Sequence, residues 1–292
     1  MWHRAVIAGA LLLAGCGPDA AAPVIDDVEP VRWLADGTPD ELVGGPQGGE
    51  GQFAVECSFS HLAPDDPIVH PGHAGFSHLH QFFGARGVSA STVHSDLETA
   101  ETTCDQQLDR ASYWSPTLVD STGKSIPANR LVAYYRAGVG VDPTMVEPFP
   151  PGLMMVAGHQ DATEPQALTT ISWSCGATLD RFDAPTNCDA SGVLRLNVVF
   201  PDCWNGTTIS ALPGEPHVAY SSGGRCPDGF GTTIPQLHLA FDFAASDPAG
   251  LALSSGPVEG AHADFWNAWD PAKLEREVRH CINRNLPCSV VN

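Results

Sequence analysis

The chain carries little positive charge: 14 Lys and Arg stand against 34 Asp and Glu in 292 residues, so the formal net charge is −20. This excess of negative charge repels polyanions and excludes nucleic acid as the default partner. The sequence also lacks G-x-S-x-G, G-x-x-x-x-G-K-[ST], G-x-G-x-x-G after a strand, H-E-x-x-H and any C-x-x-C pair. These absences argue against a serine hydrolase, a nucleotide-binding protein, a zincin protease and a thiolate zinc site.

Long hydrophobic runs are missing as well, because the amino-terminal run from Ala5 to Ala14 is too short for a permanent transmembrane helix. We predict that residues 1–16 are a lipoprotein signal peptide, since Leu13-Ala14-Gly15-Cys16 resembles a bacterial lipobox. Lipidated Cys16 would then be the only membrane attachment, at the outer membrane or cell surface of a bacterial envelope. An ordinary cleaved signal followed by a stray cysteine is the alternative. Residues 17–51 are predicted to be a flexible spacer, and residues 52–292 a single secreted domain.

Cysteine usage supports an oxidising compartment, because eight cysteines remain once Cys16 is set aside. An even number in a secreted chain predicts four disulfides. The spacing favours local pairs, namely Cys57 with Cys104, Cys175 with Cys188, Cys203 with Cys226, and Cys281 with Cys288.

The predicted fold class is mainly β: a single disulfide-stapled β-sandwich-like domain with long loops and a short carboxy-terminal helix. Short runs rich in Val, Ile, Phe, Tyr and Thr alternate with Gly, Pro, Asp and Ser. The predicted strands are Phe53–Phe59, Leu131–Tyr135, Leu153–Ala157, Thr169–Cys175, Val193–Phe200 and Leu237–Phe243. Asp270 is expected to cap the helix, whose buried face would be Leu274, Val278 and Ile282.

Four histidines, His70, His73, His78 and His80, lie within eleven residues in DDPIVHPGHAGFSHLHQFFG, residues 65–84. If residues 77–82 are extended, His78 and His80 point to the same side, roughly 6.5 Å apart at Cα. Two imidazoles held this close suit a shared ion or substrate group. Histidines that only hydrogen-bond to brace loops are the alternative.

Two further groups of residues carry candidate chemistry. His262 and Asp264 precede the predicted helix and suit an acid–base pair or metal ligation, although Asp264 would equally accept backbone hydrogen bonds there. His217 and Tyr220 follow Cys203 and suit general base and general acid catalysis, unless this segment is only a structural loop. Flat rings that could stack on sugar are Trp114, Trp204, Trp266, Trp269 and Tyr134, and packing in the core is the alternative for them.

Ordered motifs along the chain resemble the DUF1996 family, a secreted domain of unknown function that in fungi is often fused to WSC carbohydrate-binding modules. The resemblance runs from about Phe53 to Cys288, and the motifs include D-P-I-V-x-P-G at 66–72, H-x-H-x-F-x-G at 78–84, Y-W-x-P-x-L at 113–118, F-P-P-G-L at 149–153, F-P-x-C-W-x-G at 200–206 and H-A-D-F at 262–265. It implies a secreted, disulfide-bonded domain with a link to extracellular glycans, and it implies no established activity. The chain departs from the family pattern at Ala268, where glycine is expected, and in a short loop before His217.

The leading hypothesis is a surface-anchored polysaccharide-active enzyme, a hydrolase or lyase, whose catalytic residues are His78, His80, His262 and Asp264, with His217 and Tyr220 nearby. Its partner would be extracellular or cell-wall polysaccharide. Two other classes stay open. One is a non-catalytic carbohydrate-binding lipoprotein, and the other is a metal-binding protein in which His78, His80 and His262 hold a divalent ion.

Overall fold

The computed structural model describes residues 51–210, 216–245 and 247–289, so the predictions for the signal peptide, Cys16 and the spacer up to residue 50 lie outside the described residues. The strands are β1 Gln52–Ala63, β2 His80–Gly84, β3 Ser112–Pro116, β4 Leu118–Val119, β5 Ser125–Ile126, β6 Arg130–Arg136, β7 Met154–Gly158, β8 Ile171–Cys175, β9 Leu194–Val199, β10 Cys203–Trp204, β11 Val218–Ala219, β12 Thr232–Thr233, β13 Gln236–Phe243, β14 Ala252–Leu253, β15 His262–Trp266 and β16 Pro287–Ser289. The helices are α1 His94–Leu97 and α2 Pro271–Glu277, and α2 continues into a π-helical turn at Val278–Ile282. Short 3₁₀ turns lie at Pro143–Met145 and Val258–Gly260.

The six predicted strands are confirmed as β1, β6, β7, β8, β9 and β13, with ends that differ by a few residues. The fold is mainly β, as expected. No helix among the described residues is long and apolar enough to cross a bilayer.

One long strand organises the main sheet. The strand order is β7-β15-β3-β2-β1-β6-β13-β9-β8, and β16 pairs in parallel with the start of β1. The first part of β1 pairs with β6 and the second part with β2, and the register shifts between Phe59 and His61. A strand that bends in this way lets the two halves of a sheet turn towards each other.

The inner faces of the two halves pack into a shared apolar core. Phe83 on β2 meets Phe241 on β13 with ring centroids 5.6 Å apart, and Phe265 on β15 lies 6.4 Å from Phe200. All four rings are fully buried. This face-to-face packing is the predicted sandwich, and two smaller apolar clusters lie on the outer faces, one with Phe82, Trp114 and Trp266 and one with Val132, Tyr134 and Ala240.

The outer face of β13 is polar but covered. Asp242 accepts hydrogen bonds from Arg195 Nε at 2.6 Å and from Arg130 Nη2 at 2.8 Å. Burial opposes ionisation of Asp242, but these guanidinium groups keep its pKa below the usual range. His238 accepts from Arg136 Nη2 through Nδ1 and donates through Nε2 to Asn197. Asp242 and the ring of His238 are therefore satisfied by polar side chains on the neighbouring strands.

All four predicted disulfides are present, joining Cys57 to Cys104, Cys175 to Cys188, Cys203 to Cys226 and Cys281 to Cys288. The carboxy-terminal helix is also confirmed. Asp270 caps it by accepting a hydrogen bond from the Lys273 amide at 2.9 Å, and Leu274, Val278 and Ile282 are buried in the main core.

A buried carboxyl group ends a chain of hydrogen bonds in the core. Trp269 Nε1 donates to the Tyr135 hydroxyl at 2.9 Å, the two hydroxyls of Tyr135 and Tyr113 bond to each other, and the Tyr113 hydroxyl donates to Asp109 Oδ2 at 2.7 Å. Asp109 is fully buried, and this burial raises its pKa to about 8 despite the hydrogen bonds it accepts. The native protein therefore keeps a proton that the unfolded chain releases above about pH 4.

We predict that Asp109 makes the protein less stable as pH rises. A carboxyl group whose pKa is raised on folding stabilises the native state fully below its unfolded pKa, and this contribution falls by up to about 1.4 kcal/mol per pH unit until pH reaches the folded pKa of about 8. The free energy of unfolding, measured with urea at pH 5, 6, 7 and 8, should fall with rising pH for the wild type relative to Asp109→Asn, because asparagine does not titrate. The matched control Asp120→Asn alters an exposed carboxylate and should run parallel to the wild type, and parallel curves for Asp109→Asn would contradict the prediction.

Candidate functional site

The site lies on the outer face of the half-sheet formed by β7, β15, β3 and β2. Side chains alternate along β15, so Ala263 and Phe265 enter the main core while His262 and Asp264 point outwards. On β2, His80 pairs with Pro116 of β3, and on β15, Asp264 pairs with Trp114 of the same strand. Because β3 lies between β2 and β15, His80 and His262 approach each other from either side of β3.

Three imidazoles meet at this point. The ring centroids of His78 and His80 are 4.2 Å apart, those of His78 and His262 are 5.0 Å apart, and those of His80 and His262 are 6.1 Å apart. Strand β2 begins at His80, so His78 lies in the loop that precedes the strand. The loop nevertheless brings His78 into contact with the other two rings.

Backbone carbonyls set the tautomers of two of these histidines. His80 Nδ1 donates to the carbonyl oxygen of Asp65 at 2.9 Å, and His262 Nδ1 donates to the carbonyl oxygen of Gly260 at 2.8 Å. A carbonyl oxygen only accepts, so the proton of each neutral ring is on Nδ1 and the lone pair is on Nε2. This is the arrangement in which histidines ligate metal ions in proteins.

The environment keeps the imidazoles uncharged. Burial, followed by the neighbouring imidazoles, lowers the pKa of His78 to about 3. Burial also lowers the pKa of His80 to about 3, and it lowers that of His262. Three neutral rings are available as ligands at neutral pH without first losing a proton.

A buried carboxyl group, which accepts no hydrogen bond, completes the cluster. Asp264 is 1% exposed, and neither of its carboxyl oxygens has a hydrogen-bond partner among the described residues. Burial, reinforced by the nearby Asp66, raises its pKa well above the usual range. The Nε2 atoms of His78 and His80 are likewise buried and have no hydrogen-bond partner. Several strong ligand atoms are therefore unsatisfied at the same place, which natural proteins rarely tolerate without a bound group.

Two overlapping sets of potential ligand atoms share His80. In the first, His78, His80 and His262 each place one atom within 4.8 Å of the others, and in the second Asp66, His80 and Asp264 do the same. A cavity of about 240 Å³ opens onto His262, Asp264 and Asp66. The five side chains of the two sets are called the His/Asp cluster below. The cavity gives this cluster a route to solvent and to a ligand.

The chemistry of these donors fits a first-row transition metal ion. Imidazole nitrogen with carboxylate oxygen suits zinc, manganese, iron, copper or nickel, whereas calcium and magnesium take oxygen ligands almost exclusively. A third group of close ligand atoms, in Cys57, Cys104 and Asp109, does not qualify, because both sulfur atoms are in a disulfide.

The other predicted catalytic pair lies outside the cluster. His217 Nε2 donates to the carbonyl oxygen of Met154 at 2.6 Å. Met154 lies four residues before Gly158, the residue of β7 that pairs with His262, and four residues span about 13 Å along a strand. The Tyr220 hydroxyl donates to the carbonyl oxygen of Val199 at 2.7 Å. None of the contacts found for these two residues in the described structure involves the cluster.

The burial of four aromatic rings contradicts their predicted role in stacking on sugar. Trp114 and Tyr134 are at most 1% exposed, and Trp266 and Trp269 are at most 4% exposed, so they pack in the protein instead of offering an open face to sugar. Trp269 borders a separate cavity of about 190 Å³. Trp204 is half-buried, and its indole nitrogen donates to the carbonyl oxygen of Thr208. A large aromatic ring in a sequence indicates a buried core position at least as often as it indicates a contact with a ligand.

Two aspartates of the site, Asp65 and Asp66, were not predicted as site residues from the sequence. Asp66 belongs to the second ligand set, and its Oδ1 accepts from the amides of Ile68 and Val69 at 2.9 and 2.8 Å. Asp65 orients His80 through its carbonyl oxygen and holds the loop through its carboxylate. Their position could have identified them, because both residues begin the D-D-P-I-V segment that directly precedes the histidines.

Comparison with known families gives one match. The DUF1996 profile, a domain of unknown function, matches residues 66–269. The chain belongs to the DUF1996 family. The matched region contains all five residues of the His/Asp cluster and ends just before the carboxy-terminal helix. No curated protein and no solved structure shows a significant match.

We predict that Asp264→Leu stabilises the metal-free protein at pH 7. The substitution removes a buried carboxyl group that accepts no hydrogen bond, and burying such an unpaired polar group costs about 1–3 kcal/mol. Asp202→Leu is the matched control, because Asp202 is also buried but accepts from the amide and hydroxyl of Ser221, so its loss should destabilise. Chemical unfolding measures both changes, and equal losses of stability would contradict the description of Asp264.

Proposed function

We propose that this chain is a metal-dependent secreted enzyme and that the His/Asp cluster holds its metal ion. The observation that carries the proposal is the convergence of three neutral imidazoles on a buried carboxyl group whose two oxygens have no partner. Nε2 of His78, His80 and His262 would be ligands, with Asp264 and Asp66 as carboxylate candidates. A transition metal ion held there would supply a Lewis acid and a bound water of lowered pKa.

The proposed substrate is extracellular polysaccharide, and the proposed reaction is hydrolysis. The cavity of about 240 Å³ gives a sugar ring access to His262 and Asp264. A cluster carboxylate that does not ligate the ion, Asp264 or Asp66, would take the proton of the attacking water, and the glycosidic oxygen would leave with that proton as an alcohol. Elimination by a lyase would require Tyr220 to return a proton, and its hydroxyl is engaged by the carbonyl oxygen of Val199. Hydrolysis is therefore the version that these contacts support.

Metal binding can be measured directly on untagged protein treated with a chelator. We expect one zinc ion per chain by calorimetry and elemental analysis, with affinity lowered about 100-fold or more in His80→Ala and His262→Ala because each loses a ligand. His280→Ala removes a histidine beyond the family match and should bind like the wild type. Binding that is equally strong in all four proteins would place the ion elsewhere.

Catalysis needs a separate test with metal-loaded protein. Release of reducing ends from cell-wall polysaccharides should fall by about 100-fold or more in His262→Ala and Asp264→Asn, since each replaces a proposed ligand or base. His280→Ala should keep full activity. If the wild type binds zinc but releases no products, the metal site stands and the hydrolase assignment fails. Products with an unsaturated end would instead indicate elimination.

A further inference from the structure

An exposed phenylalanine stands beside the His/Asp cluster. Phe76 is 71% exposed, the highest value among the large hydrophobic side chains that the structure describes. Its ring is flanked by those of His70 and His73, with centroids 5.8 and 5.9 Å away. Phe76 precedes the ligand candidate His78 by two residues, so their Cα atoms are at most about 7.6 Å apart. An aromatic face is thus presented to solvent next to the proposed metal site.

The loop that carries Phe76 is anchored to the site. The Gly75 amide donates to Asp65 Oδ1 at 2.7 Å, and the Ser77 amide donates to the carbonyl oxygen of Pro64 at 3.1 Å. Asp65 also accepts from the Ala90 amide and, through its carbonyl oxygen, from His80 Nδ1. One residue therefore positions both the imidazole of His80 and the backbone beside Phe76, so little backbone entropy is lost when a ligand packs against this loop.

The mouth of the cavity has apolar and polar sides. Val69 and Val156 line it and are 48% and 39% exposed. The exposed residues His159, Gln160 and Asp161 line the same cavity with polar groups. A pyranose ring has this dual character, since its C–H face is apolar and its rim carries hydroxyls. An apolar protein partner fits less well, because the histidines and Asp161 interrupt the apolar surface.

We propose that Phe76 is the residue on which a sugar ring of the substrate stacks, with the hydroxyls of that ring facing His159 and Asp161. This inference rests on the proposed function and assigns to Phe76 the role that the buried tryptophans do not fill. It makes Phe76 a substrate-binding residue that does not contact the metal ion.

The test measures binding of soluble β-1,4-linked hexasaccharides of glucose, N-acetylglucosamine and xylose to zinc-loaded protein by calorimetry. Phe76→Ala should weaken binding about fivefold or more, whereas Phe76→Trp, which keeps an aromatic face, should stay within about twofold of the wild type. Leu179→Ala is the matched control, since Leu179 is 68% exposed and lies between β8 and β9, in a segment that contributes no residue to the cavity or to the His/Asp cluster. Zinc content and thermal stability should be the same in all of these proteins.

Each other outcome overturns a defined part of the account. Equal binding by the wild type and Phe76→Ala refutes the role of Phe76 and leaves the proposed function intact. If zinc-loaded wild type binds none of the three sugars, both the polysaccharide substrate and the role of Phe76 fail, while the metal site is judged on its zinc content alone. Loss of zinc in Phe76→Ala would mean that the ring supports the metal site and does not bind substrate.

Discussion

The hydrogen bond from His80 Nδ1 to the carbonyl oxygen of Asp65 fixes the two neighbouring histidines of the candidate site, His78 and His80, to one segment of the fold. It leaves the lone pair of His80 on Nε2, towards His78 and His262, and it ties strand β2 to the loop in which His78 lies. The carboxylate of Asp65 extends this connection by holding the amides of Gly75 and Ala90. Without this contact His80 would lose the acceptor that sets its tautomer and its direct hydrogen bond to the loop that carries His78.

The cluster is costly for the fold of the metal-free protein. A buried carboxyl group without a donor, next to two buried imidazole nitrogens without a partner, destabilises the metal-free protein. Asp242 on the outer face of β13, by contrast, is paired with Arg195 and Arg130. The unsatisfied atoms of His78, His80 and Asp264 lie together at the site, beneath an open cavity, where one bound ion would satisfy them together.

Local patterns predicted the fold well and the site only in part. Alternating apolar residues identified β13, and Asp270 with Pro271 identified the start of α2, because neighbouring residues decide both features. Strands β2 and β15 escaped firm assignment, since both of their faces are buried and His262 and Asp264 break the apolar pattern. The meeting of His78 and His80 with His262 was predicted from residue types, but the burial of Trp114 and the involvement of Asp66 depend on contacts between strands and loops distant in sequence.

X-ray absorption spectroscopy of the zinc-loaded protein tests the central claim most directly, because the spectrum reports the number and kind of ligand atoms around the ion. The account predicts three imidazole nitrogens at about 2.0–2.1 Å together with carboxylate or water oxygen. A zinc ion surrounded by oxygen alone, or by a single imidazole, would contradict the assignment of His78, His80 and His262 to one metal centre.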